Sequence, residues 1–415
     1  MIAALADGTS SLSNFSTSQD CASTLDCLRR LGVSIEQQGN GLRVEGAGTQ
    51  GLREPKEPLD CGNSGSTMRM LSGVLAAHSF VSTLTGDESL RARPMSRIIE
   101  PLELMGARVI SENGRPPLRI EGRNPLKAIR YELPVASAQV KSCVLFAGLR
   151  GGGRTEVVES LGATRDHTER MLEWFGVPLR TRSANADSAS TNTISIDGPA
   201  SFSGREVHIP GDISSAAFLI AAAALLSGSA LEIESVGLNP TRTQFLTTFC
   251  SLGMDLEIGD VHDECNEPVG TVRVLGGQAN EVRQPRLSTS LRGSLIPQLI
   301  DELPLLAVIG TQVPGGIEIR DAAELRVKET DRIAATVSNL RAMGAKVEEY
   351  EDGLAVAEAT DLRGALIDSR GDHRIAMAFT VAALLADGES EISGAECVAI
   401  SFPEFFRLLD AVVER

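Results

Sequence analysis

Two chemistries are set aside by what the chain lacks. Its seven cysteines form no CxxC pair and are odd in number, so neither a disulfide framework nor a zinc ribbon has its spacing. Histidine is scarcer still. His78, His167, His208, His262 and His373 include no HxxxH pair, and no structural or catalytic metal site is expected. No apolar run reaches membrane-spanning length; the longest candidate, 216–226, is Ala-rich and too short. The opening MIAALAD is apolar but has no basic n-region and no cleavage signal. A cytoplasmic protein with reduced, mostly buried thiols is therefore expected. Positive charge is also short: 39 Lys and Arg against 55 Asp and Glu give a net charge of −16. That argues against nucleic acid or an anionic membrane as partner. It leaves small anions open, because a local cluster of Arg and Lys can focus positive potential in a cleft.

What the chain has is repetition. An Ala/Leu-rich helix, a Gly-containing turn and a strand recur at 3–12, 75–84, 145–157, 222–231, 305–317 and 382–392. After each of the first five copies a second helical stretch ends in Leu31-Gly32-Val33, Met105-Gly106-Ala107, Phe175-Gly176-Val177, Leu252-Gly253-Met254 or Met343-Gly344-Ala345. Gly directly after a helix, followed by alternating apolar residues, reads as a C-cap leading into a strand. Units of this length, with two helices and several strands, are supersecondary modules, three per domain. The reading is an α/β (α+β) chain of two domains, 1–209 and 210–415, with a hinge near 209–212. The polar stretches 183–193 and 276–292 read as long loops without an assigned role. Met1 falls in the middle of the first copy's helix. By comparison with its siblings that copy is incomplete, lacking a strand and half a helix.

Polar caps precede the first-type helices at Asn63-Ser64-Gly65-Ser66, Ser137-Ala138-Gln139, Gly211-Asp212-Ile213-Ser214, Asp301-Glu302 and Gly371-Asp372-His373. Ordinary capping accounts for each taken singly. Cations near helix starts are less ordinary, because the dipole disfavours them there. Arg69, Lys141 and Arg374 lie in or near first turns, and Arg93, Arg165, Lys328 and Arg332 lie just ahead of second-type helices. Seven in repeat-equivalent places suggest a bound phosphate or carboxylate that offsets their repulsion. Two carboxylates sit among them. Asp301 is an N-cap or a general base, and Glu329 is a surface ion-pair partner or a proton carrier.

At these residues the chain resembles the enolpyruvyl transferase family. The matching runs are GNSGSTMR (62–69), SLRARPM (89–95), SAQVKS (137–142), TRDHTERML (164–172), GDISSAAF (211–218), IDELPLLAV (300–308), RDAAELRVKETDRI (320–333) and GDHRIAMAF (371–379), in family order over nearly the whole chain. The resemblance implies two domains of three βαβαββ modules each, an inside-out barrel with the first module incomplete. It implies transfer of the enolpyruvyl group of phosphoenolpyruvate to the 5-hydroxyl of shikimate 3-phosphate by a cytoplasmic monomer without metal or organic cofactor. Carried over by position, Gly65, Arg93, Gln139, Arg332 and Arg374 would hold phosphoenolpyruvate. Ser137, Ala138, Gln139, Arg165, Asp301 and Lys328 would hold shikimate 3-phosphate. Asp301 would take the hydroxyl proton, and Glu329 would serve the methylene carbon.

The family's opening Lys-Ser pair and following Arg would lie upstream of Met1, so a late-assigned start or a shortened copy of low activity is expected. Milder departures are Ala138 in place of a second Ser, Glu324 in place of Asn, and Ile400 in place of Lys. Two other readings stay open. One is the sister transferase acting on UDP-N-acetylglucosamine, disfavoured by SAQVKS and TRDH and by a 86–94 loop that offers Asp87 but no Cys. The other is a non-catalytic anion-binding homologue. Gly65 matches the small residue of the glyphosate-sensitive pattern. A form carrying the upstream segment should be inhibited by glyphosate in a phosphate-release assay, and millimolar resistance would contradict this.

Overall fold

The computed structural model describes residues 1–186, 189–276 and 290–413, with the side chains of 184–190 excluded. Its contacts fall into two compact units. One comprises residues 1–209 with 264–266, the other residues 210–263 and 267–415.

The first unit is built from three four-stranded sheets with one shared plan. In the clearest, Leu59–Asp60 leads into the helix Gly65–Ala76 and then the parallel strand Val81–Thr85. The helix Ser96–Leu104 and the hairpin Arg108–Glu112/Arg115–Glu121 follow, and the hairpin pairs antiparallel with Val81–Thr85. The module Arg130–Glu132 to Asp197 repeats this order. In the remaining sheet the parallel first strand is Glu206–His208, beside Asp7–Ser13. The second unit has the same four-strand order once, a three-stranded sheet, and a two-stranded parallel sheet of Leu366–Asp368 with Glu391–Ser393.

Four of the repeats read from sequence are thus four-stranded units of one plan, and the other two have three and two strands in their sheets among the described residues. The five glycines after the second-type helices all adopt positive φ (Gly32, Gly106, Gly176, Gly253 and Gly344), as a left-handed C-cap requires. The stretch 183–193 is not a long loop. Leu179–Ala186 and Ala189–Asp197 pair as a hairpin whose register is set by buried Ile194 and Ile196. Backbone pairing begun by those anchors carries on through polar residues, because a strand's outer end needs no apolar side chains. Of 276–292, residues 277–289 lie outside the described residues, and Ser290–Leu291 is a short strand.

First-type helices are apolar nearly all round, which is the mark of a helix enclosed on every side. In the first unit, Gly65–Ala76 and Ala138–Gly148 cross so closely that a Cβ at Gly73 would lie 2.0 Å from the Cys143 carbonyl oxygen. Around them pack Met68, Leu71, Val144, Leu145 and Phe146. In the second unit the helices Ile213–Leu225, Leu303–Gly310 and His373–Leu385 share a core with Phe218, Phe249 and Phe379. Among the described residues no single helix is long and apolar enough to cross a membrane. All seven cysteines are free, with Cys27, Cys61 and Cys143 buried and the other four half-buried, so burial of the thiols is less general than composition suggested.

The Gly73 contact yields a test. Gly73→Ala should destabilise the protein by about 1–3 kcal/mol through overpacking, read as a lower urea midpoint. An unchanged midpoint would show that the two helices are not held at this spacing.

Candidate active site

In the first unit two helix starts lie side by side. Ser64 caps Gly65–Ala76 by accepting from Thr67 N at 3.2 Å, and Ser137 caps Ala138–Gly148 by accepting from Val140 N at 3.4 Å. Side chains bridge them: Arg69 Nη1 donates to Gln139 Oε1 at 2.7 Å, and Gln139 Nε2 donates to Ser66 Oγ at 2.8 Å. Arg93 is buried and donates to Asn63 Oδ1 at 2.6 Å and to Ser89 Oγ at 3.3 Å. Gly65 is small for a reason visible here. A Cβ on it would lie 2.8 Å from Arg69 Nη1 and 3.4 Å from Arg93 Nη1. The structure thus brings Gly65, Arg69, Arg93 and Gln139 together, with Ser137 and Ala138 on the adjoining turn. Arg165 stands half-buried in the loop ahead of the helix His167–Trp174.

The dipole argument holds for fewer of the seven cations than the sequence suggests. Arg93 follows the short helix Glu88–Ala92 at its C-terminal end, where a cation is favoured. Lys141 does not face a ligand. It is 1% exposed and pairs with Glu169 at 2.6 Å and Glu159 at 3.0 Å, so protein carboxylates offset its charge. Arg332 in the second unit is likewise paired with carboxylates of the chain.

Arg332 is 2% exposed at the start of the helix Arg332–Ala342. Its Nε donates to Asp372 Oδ2 at 2.8 Å, and its Nη2 donates to Glu329 Oε2 at 2.6 Å and to Asp372 Oδ1 at 3.3 Å. Burial works against the charge, but Asp372 and Glu329 more than restore it and hold the guanidinium firmly protonated. Its Nη1 is buried without a hydrogen-bond partner among the described residues; Asp301 Oδ1, at 3.6 Å, is too far to accept. A buried donor left without an acceptor among the described residues is a candidate contact for a bound anion.

Asp372 has a second task. It caps His373–Leu385, accepting from Arg374 N at 2.8 Å. Asp212 behaves alike, capping Ile213–Leu225 while accepting from Arg242 Nη2 at 3.0 Å. Asp301, by contrast, is not the cap of the helix it precedes. Glu302 is the N-cap of Leu303–Gly310, and the Asp301 carboxylate lies toward Arg332 and, at 3.9 Å, Arg242. The Glu302 carboxylate accepts from Ser214 Oγ, which in turn accepts from Arg374 Nη1 at 2.6 Å. Glu329 is no surface ion pair, being 17% exposed against the buried Arg332. Lys328 is more open and lies 3.5 Å from Glu324.

Sequence reasoning missed Arg242. It occupies in the fourth module the place that Arg332 holds in the fifth, ahead of a second-type helix, Gln244–Ser251. Aligning NPTRTQ (239–244) with the sibling modules would have exposed it. The site contains no metal-ligand geometry: among the described residues no three His, Cys, Asp or Glu side chains could share an ion.

His373, also unassigned from sequence, is 6% exposed with Nδ1 unpartnered. Burial, and next Arg374, depress its pKa to about 4.

Three comparisons place this geometry among known proteins. The family model described as EPSP synthase (3-phosphoshikimate 1-carboxyvinyltransferase) matches residues 1–409. A 3-phosphoshikimate 1-carboxyvinyltransferase of Koribacter versatilis is 50% identical, with 100% of this chain and 93% of the relative covered. One of Brevibacillus brevis is 45% identical over 99% of this chain and 92% of the relative. The solved EPSP synthase of Acinetobacter baumannii superposes with a TM-score of 0.82 at 39% identity, covering 99% of this chain and 91% of that one.

The His373 shift predicts a pH dependence. Folded His373 titrates near 4 and the unfolded imidazole near 6.5, so below pH 6.5 the unfolded chain binds the extra proton. Stability present above pH 6.5 should fall toward pH 4, by up to about 3 kcal/mol from this group. His373→Asn should flatten the decline of the urea midpoint between pH 7 and 4.5. Parallel declines in the two proteins would exclude His373 as its source.

Proposed function

From the chain's membership of the EPSP synthase family, we propose that it transfers the enolpyruvyl group of phosphoenolpyruvate to the 5-hydroxyl of shikimate 3-phosphate, releasing inorganic phosphate. The family is a carboxyvinyltransferase family, which makes this chain a transferase of aromatic precursor synthesis. The relatives' shared name does not favour the UDP-N-acetylglucosamine reading. The observation that carries the reaction is the Arg332 assembly. A buried guanidinium, fixed by Asp372 and Glu329, has one donor without an acceptor among the described residues, which supports its assignment to an anionic substrate.

In the first unit, Gly65, Arg93 and Gln139 are assigned to phosphoenolpyruvate, and Ser137, Ala138, Gln139 and Arg165 to shikimate 3-phosphate. In the second, Arg332 and Arg374 are assigned to phosphoenolpyruvate, and Asp301 and Lys328 to shikimate 3-phosphate. Support comes from the chemistry of each group. Arg93 and Arg374 are buried guanidiniums whose forks are oriented by oxygens of Asn63, Ser89 and Ser214, and guanidinium forks suit phosphate and carboxylate. Ser137 and Gln139 stand at a helix start, where backbone N–H groups favour an oxyanion.

The reaction follows in two steps. A proton goes to the methylene carbon of phosphoenolpyruvate while the 5-hydroxyl oxygen bonds to its C2 and gives its proton to Asp301. The tetrahedral adduct then loses phosphate from C2 and a proton from the new methyl group, restoring the double bond. Glu329, adjacent to Arg332, is the group for the methyl and methylene proton. Asp301 is a reasonable acceptor for the first transfer because its carboxylate lies 3.6 Å from Arg332 and 3.9 Å from Arg242, among the groups assigned to the anions. Fixed charge and orientation, set before the substrates arrive, lower the barrier further. A cytoplasmic monomer acting on two small anions, without nucleic acid, membrane or cofactor, completes the reading; the net charge of −16 supports it.

Phosphate release that depends on both phosphoenolpyruvate and shikimate 3-phosphate tests it directly. Asp301→Asn and Glu329→Gln should each lower kcat by about 10²–10⁴-fold with smaller changes in KM. Release that proceeds equally with UDP-N-acetylglucosamine, or that is absent with both acceptors, would overturn the reading.

A further inference from the structure

Lys141 lies outside every role assigned above, yet it is among the most deeply buried charges of the first unit. It sits in the first turn of Ala138–Gly148, two residues beyond Gln139, and turns inward to Glu159 and Glu169. Those carboxylates are 3% and 9% exposed and come from the end of the strand Arg154–Glu159 and from the helix His167–Trp174. A buried trio of this kind is weak evidence for stability, because desolvation consumes most of what the pairing returns. Its worth lies in what it holds in place.

What it holds is the loop at 160–166. Glu159 Oε1 accepts from both the backbone N (3.0 Å) and Oγ1 (2.5 Å) of Thr164, and Lys141 Nζ donates to the Thr164 carbonyl at 3.5 Å. Three polar groups of one loop residue are thereby tied to the trio. The loop's ends have their own ties, Ser160 Oγ donating to Glu132 Oε1 at 2.5 Å and Arg170 Nε to Asp166 Oδ2 at 2.9 Å, but at its tip Leu161 is 59% exposed and Gly162, at φ 109°, has open space where a Cβ would stand. A neighbouring bond, Ser142 Oγ with Thr168 Oγ1 at 2.7 Å, joins the same helix to the far side of the loop. The residue after Thr164 is Arg165, and the helix that carries Lys141 begins at Ser137, Ala138 and Gln139.

We propose that Lys141, Glu159 and Glu169 are positioning residues that set the Arg165 loop in register with the 137–139 turn, so that both segments meet one phosphorylated acceptor. The inference rests on the proposed function for the identity of that acceptor; the anchoring itself does not. The Lys141 charge, fully met by protein carboxylates, binds no substrate. It acts through Thr164, and its effect falls on the acceptor's affinity.

The test uses the whole chain with Thr164→Val, which removes one hydroxyl anchor and leaves the buried charges balanced, beside Lys141→Met. Amide hydrogen exchange over 160–166, the melting temperature and calorimetric affinity for shikimate 3-phosphate are compared with the unsubstituted protein. Thr164→Val should speed exchange in the loop and weaken shikimate 3-phosphate about tenfold, the size expected for a lost hydrogen bond to a charged group. It should do so with little change in melting temperature, and Thr164→Ser should restore both readouts. Lys141→Met should do more in the same direction; should it fail to fold, the Thr164 pair decides. Unchanged loop exchange in Thr164→Val, or a loosened loop with unaltered affinity, overturns the proposal. If the unsubstituted chain has no affinity for shikimate 3-phosphate, the proposed function falls instead, and faster loop exchange in Thr164→Val still upholds the anchoring.

Discussion

A guanidinium can be held away from water when carboxylates take up its hydrogens, and the second unit is organised around one such case. Arg332 stays buried because Asp372 and Glu329 face it directly and Asp301 lies just beyond. Removing one partner of a buried pair typically costs about 3–5 kcal/mol, since the other charge is left stranded. The positions of Glu329 and Asp301, the two carboxylates assigned to proton transfer, are thus fixed by a requirement of folding. Asp372 carries a double load, serving the first turn of His373–Leu385 and the Arg332 fork together. An amide could still accept from the cap N–H but would bring no charge to the guanidinium.

The cations of this fold divide into two kinds. Lys141 and Arg332 are met by carboxylates of the chain and serve as internal fixtures. Arg93 and Arg374 donate to amide, hydroxyl or carbonyl oxygens, which orient the guanidinium forks.

Much of the architecture was legible before any coordinates. The Gly32, Gly106, Gly176, Gly253 and Gly344 caps mark the end of each second helix because few other residues reach the left-handed region at low cost. The count of six modules came from the Ala/Leu-rich helix, turn and strand that recur at 3–12, 75–84, 145–157, 222–231, 305–317 and 382–392. The 183–193 segment was not legible, because Ser, Thr and Asn carry no apolar alternation and the strands are extended from buried Ile194 and Ile196. For the site, local sequence and resemblance singled out Gly65, Arg93, Gln139, Asp301, Glu329, Arg332 and Arg374 as candidates. Lys141 was misjudged for a physical reason. A helix dipole acts over one turn, whereas carboxylates 18 and 28 residues further along the chain reach its ammonium group through tertiary packing, which no local pattern records. Arg242 escaped because its partner, Asp212, had already been accounted for as a cap.

The crossing at Gly73 has a bearing on how this family can change. With a hydrogen atom standing against the Cys143 carbonyl, the two helices mesh like a key in a lock, and neither can slide along or roll over the other. Each residue added to a helix turns everything beyond it by about 100°. A single insertion between Arg69 and Gly73 would therefore swing Arg69 away from Gln139 while the crossing stayed fixed. Drift in length has to be absorbed elsewhere, in hairpin tips and in the connections between modules, and the stretch from Gly65 to Gly73 is the part of the chain least able to gain or lose a residue.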